Sequence, residues 1–60
     1  MDIIKQAIEF SSEFLAKNPG HVSEVKDLFS LMKSEIEEGS SPQSEYESFV
    51  QSVEQLLENN

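Results

Sequence analysis

Apolar residues recur at intervals of three and four along most of this 60-residue chain, the period of amphipathic helices rather than of strands. Two clusters interrupt the recurrence, Asn18-Pro19-Gly20 and Gly39-Ser40-Ser41-Pro42. Proline lacks an N–H and glycine accepts positive φ, so each cluster predicts a turn. Three helices are expected, over residues 2–17, 21–38 and 42–58.

At 100° per residue, Ile3, Ile4, Ala7, Ile8, Phe10, Phe14 and Leu15 share about 160° of the first helix, with Asp2, Glu9 and Glu13 opposite. Asp2 suits the N-cap. Lys5, Glu9, Glu13 and Lys17 run i,i+4 along the outer face, where each opposite-charge pair adds about 0.2–0.5 kcal/mol. In the second helix Val22, Val25, Leu28, Phe29, Met32 and Ile36 share about 120°, and Gly39 suits the position just past its end. Glu37 and Glu38 sit where the helix dipole disfavours acids by roughly a few tenths of a kcal/mol. In the third helix Tyr46, Phe49, Val50, Val53, Leu56 and Leu57 share about 120°. Ser40 or Ser41 can cap it, with Pro42 in the first turn. Ser40 as cap would put Gln43 at the capping-box position. The Asn59-Asn60 end is expected to fray.

Connections of about three to five residues make consecutive helices antiparallel neighbours. The fold class predicted is therefore all-α: one domain over residues 1–60, a small three-helix bundle, up-down-up, with short loops. A helical hairpin with the third helix docked across it is the alternative.

Composition sharpens this picture. Only 37% of the residues are hydrophobic, and a chain this short buries roughly 60% of the surface it exposes when unfolded. The core must be thin, and a homodimer would enlarge it. Twelve acids face four lysines, for a net charge of −8. That field repels phosphates and anionic lipids, so neither direct nucleic-acid binding nor membrane binding is expected. No apolar run approaches the roughly 18 residues of a membrane span, and the N-terminus lacks a signal-peptide pattern, which points to a cytoplasmic protein. Without cysteine there is no disulfide scaffold or thiolate zinc site. The charge is also unevenly spread. Through residue 33, five acids meet four lysines; from residue 34 onward, seven acids meet none.

No catalytic constellation emerges. His21, the single histidine, follows the Pro-Gly turn and reads as part of that turn or of the helix start, because catalysis needs partners. Ser11-Ser12 and Ser40-Ser41 lack the G-x-S-x-G context of a nucleophile. One histidine cannot supply paired Glu-x-x-His metal motifs. Calcium and phosphate loops are missing as well. The expectation is a non-enzyme with no cofactor and no metal.

Three features stand out against the pattern. Ser11 lies within the apolar stripe of the first helix, between Ile4 and Leu15. Its hydroxyl can bond back to the carbonyl one turn earlier. Either it permits close helix approach together with Ala7, or that part of the stripe is an open partner groove. Leu31 falls about 60° outside the apolar arc of the second helix, among Glu24, Asp27, Glu35 and Glu38. Either the middle helix buries a wider stripe, or Leu31 is an exposed anchor ringed by acids, suited to a basic, partly apolar partner surface. The third helix carries a separate acidic row, Glu47, Glu54 and Glu58, with Gln51 interleaved. Together with Leu31 and its ring, these form the candidate partner contacts.

The function expected is that of a small acidic helical protein that binds a larger protein as regulator, inhibitor or adaptor, of a style suited to bacterial or phage genomes. A nucleic-acid mimic occupying a DNA- or RNA-binding protein is one alternative. A structural homodimeric bundle is another.

Overall fold

Each predicted turn is closed by its own hydrogen bonds. The computed structural model describes residues 2–58 and contains α1 (Ile3–Lys17), a single 3-10 turn at Pro19–His21, α2 (Val22–Glu37) and α3 (Pro42–Glu58). The Asn59-Asn60 end lies outside the described residues.

Asp2 caps α1, its carboxylate accepting the Lys5 N–H at 3.2 Å. At the other end Asn18 donates twice to the Phe14 carbonyl, from its backbone N–H at 2.8 Å and from Nδ2 at 3.0 Å. The His21 N–H then closes the 3-10 turn on the Asn18 carbonyl at 3.2 Å.

The end of α2 is a Schellman motif. Ser40 N–H donates to the Glu35 carbonyl at 3.0 Å and Gly39 N–H to the Ile36 carbonyl at 3.1 Å. The motif places Gly39 at φ 109°. A Cβ built there would meet nothing within 4 Å, so the need for glycine is conformational rather than steric. Gly39→Ala should therefore lower stability by about 1–2 kcal/mol in urea unfolding. Gly20→Ala, at a turn glycine without positive φ, should change it by less than about 0.5 kcal/mol; equal losses would remove the conformational explanation.

Ser40 is thus committed to closing α2, and Ser41 caps α3. The Ser41 carbonyl accepts the Glu45 N–H at 3.0 Å, and its Oγ lies 3.5 Å from the Ser44 N–H. The capping box built on Ser40 and Gln43 does not form; Gln43 Nε2 donates instead to Glu47 Oε2 at 3.2 Å.

The helices form the up-down-up three-helix bundle expected from the short turns, within 33 × 20 × 16 Å. The C-terminal ends of α1 and α3 lie together, with Phe14 and Asn18 sharing a cleft with Leu57. Ala7, Phe14, Val25, Met32, Phe49 and Val53 form the buried core. Phe49 joins all three helices: its ring meets Phe10 of α1 edge-on at 6.0 Å and Phe29 of α2 at 6.1 Å. The α2–α3 pairing is the most extensive, and α1 packs more lightly against both. Ser11 Oγ donates to the Ala7 carbonyl at 2.7 Å, as its place in the stripe suggests.

Candidate partner-binding surface

Leu31 is 59% exposed, the highest value among the large apolar residues of the described chain that stand out from the core. The middle helix therefore does not bury a wider stripe. Its buried residues are Val25 and Met32, flanked by half-buried Leu28, Phe29 and Ile36. The neighbouring helices close over that arc and stop short of Leu31.

Leu31 stands at the edge of a shallow notch of about 60 Å³ between α2 and α3. Leu28, Met32 and Phe49 also line it, and α3 adds Glu45, Ser48 and Ser52. So small a notch makes Leu31 a knob rather than the floor of a pocket. Asp27 and Glu35 lie one turn to either side of it, and Glu24 and Glu38 lie two turns away. Glu35 is half-buried and the other three are exposed.

Glu24 also has local work at the start of α2. Its carboxyl is held below the ordinary glutamate range, first by a hydrogen bond from its own backbone N–H and then by His21, whose Nδ1 lies 3.3 Å from Oε2. His21 itself is half-buried, with its ring centroid 6.2 Å from that of Phe14. A depressed carboxyl stabilises the fold above its unfolded pKa, and the contribution is lost as pH falls through the folded value. NMR titration should place the Glu24 midpoint below the ordinary glutamate value. His21→Ala should raise it part of the way back. A Glu24 midpoint at the ordinary glutamate value would remove the assignment.

The row of Glu47, Glu54 and Glu58 is exposed but lies on the other flank of α3. Glu47 shares a cleft with Phe10 of α1 and with Tyr46 and Val50. Leu31 meets the Glu45, Ser48 and Ser52 flank. The eight candidate residues therefore divide into two surfaces: Leu31 with its ring on α2, and the α3 row beside α1. Glu45, half-buried, joins the Leu31 ring and was not expected there. Its signal was the polar spacing of Glu45, Ser48 and Ser52 at i, i+3 and i+7, which marks one helix flank.

Among the described residues no three His, Asp or Glu side chains are grouped to hold a metal ion. Nor is any helix among those residues long and apolar enough to cross a membrane. Comparison with protein-family models, with curated proteins and with solved structures returns no significant match to this chain.

Proposed function

We propose that this chain is a small, non-enzymatic, cytoplasmic helical protein that binds a larger protein with a basic surface, as a regulator, inhibitor or adaptor. Its contact is the α2 face around Leu31. The observation that carries this reading is the 59% exposure of Leu31 midway along an acidic stripe of α2, with Asp27 and Glu35 one turn to either side and Glu45 of α3 across the notch. Burying a leucine side chain contributes roughly 1.5–3 kcal/mol, and an apolar anchor within a polar rim is the usual form of an interface hot spot. The surrounding acids steer a basic partner and reject acidic ones, adding more to association rate and selectivity than to affinity. Because Leu31 projects, the partner supplies the pocket, rimmed by Lys or Arg.

Leu31→Asp should cut capture of the partner from the native host by more than tenfold while far-UV circular dichroism and the melting midpoint stay close to wild type. Equal capture by the folded variant would sink the assignment. A second reading, the nucleic-acid mimic, draws on Glu47, Glu54 and Glu58, because no lysine lines the cleft beside Glu47. Under that reading DNA competes the partner away, and Leu31→Asp has no effect.

A further inference from the structure

An almost wholly apolar cleft opens on the other side of α2. Between α1 and α2 lies a cleft of about 300 Å³, lined by Ile8, Leu15, Val22, Val25 and Phe29, with Ser11 and Ser12 on the α1 wall. Two serines in a row leave the cleft unfilled where larger side chains would close it, and α1 packs only lightly here. Ile8 and Val22 stand on opposite walls, each 51% exposed.

The charge lining this cleft is opposite in sign to the net charge of the chain. Its one charged lining residue is Lys26. Three other clefts each carry a carboxylate: Glu45 beside Leu31, Glu47 beside Tyr46, and Glu13 beside Leu57. Lys33 is two turns beyond Lys26 on the same stripe of α2, and one turn beyond Phe29. Two of the four lysines in a chain of net charge −8, Lys26 in the lining and Lys33 one turn beyond Phe29, thus stand along the α2 wall of a cleft whose lining holds no carboxylate. On α2 the α1 side carries Lys26 and Lys33, followed by Glu37 one turn later, while the side bearing Leu31 carries only acids.

We propose that the α1–α2 cleft is a docking site for one helix of a partner protein, amphipathic and flanked by acidic residues. An elongated apolar floor between two helices accepts a third helix through anchors at i, i+3 or i+4, and i+7. The lysines then meet carboxylates beside the anchors. At physiological ionic strength the Debye length is about 8 Å, so the repulsion from the distant acidic faces is screened while contacts at the rim persist. A second copy of this chain fits less well. Its acidic α2 face presents the single knob Leu31 rather than a stripe of anchors, and its net charge is also −8. The cleft is distinct from the Leu31 face, so a chain using both would bridge a basic surface to an acidic helix.

The test uses two synthetic helical peptides sharing a leucine stripe, one flanked by Glu and one by Lys, added at physiological salt to the chain with labelled methyl groups. The Glu-flanked peptide should shift the methyls of Ile8, Leu15 and Val22 and leave Leu31 unmoved. The double variant Lys26→Glu, Lys33→Glu, at two exposed positions, should weaken it at least tenfold, with the melting midpoint unchanged. Shifts at the cleft from the Lys-flanked peptide alone, or from neither peptide, would overturn the proposal. So would cleft shifts that appear on concentrating the chain by itself, because they would assign the site to a second copy.

Discussion

Phe49→Ala should cost about 3–5 kcal/mol of unfolding free energy, the usual range for truncating a buried aromatic ring. Phe49 is 3% exposed, and its ring is the one side chain seen edge-on to an aromatic of each other helix, Phe10 and Phe29. Removing it takes away the contact through which α1, packed lightly elsewhere, is held to the α2–α3 pair. A domain of this size has on the order of 3–9 kcal/mol in total. The variant should therefore populate unfolded chain without denaturant, seen as loss of helical circular dichroism and of a cooperative urea transition. A loss below about 1 kcal/mol would mean that the three helices do not meet on this ring.

Val53→Asp should have an effect at least as large. Val53 is fully buried, and no cation lies among the core residues to receive a carboxylate. Burying an unpaired charge costs several kcal/mol at least, so the chain either unfolds or protonates the new acid. Leu57→Asp, one turn further on, replaces a side chain that is 47% exposed. It should leave a folded protein, losing about 1 kcal/mol or less. The pair measures how far the buried seam of α3 extends. Comparable loss of structure in both variants would place Leu57 inside the core.

Local features were legible because local chemistry decides them. Asp2 accepts the Lys5 N–H and Gly39 takes positive φ, both predictable from residue type beside a helical period. Ser40 and Ser41 were ambiguous because both serines can cap. The choice fell to Ser41 once Ser40 was drawn into closing α2. The position of Leu31 on its helix could be read directly, but its exposure could not. That depended on how far α1 and α3 reach around α2, which is a tertiary matter.

The relation between the two acidic rows was the least legible. Which flank of α3 faces α2 and which faces α1 is set by the hand of the bundle, and the apolar period reads the same for either hand. The uncompensated charge after residue 33 does not say how those acids divide between the two flanks of α3. In the fold Glu45 lies with Leu31, while Glu47, two residues on, lies with Phe10. Ser11 did carry a signal of the α1–α2 cleft, since a small hydroxyl within an apolar stripe fits both a close approach and an open groove. The structure combines them: the hydroxyl is bonded to the Ala7 carbonyl, and the residue lines the opening.

Leu31 as a partner contact is the central claim, and photo-cross-linking tests it most directly. p-Benzoylphenylalanine placed at position 31 reports what lies within a few ångströms of the anchor in the native host, and the same group at exposed position 55, on the outer side of α3, serves as control. Cross-links from position 31 to a Lys- or Arg-rich segment of one protein, with none from position 55, are the predicted result. Cross-linking from position 31 no greater than from position 55 would contradict the account.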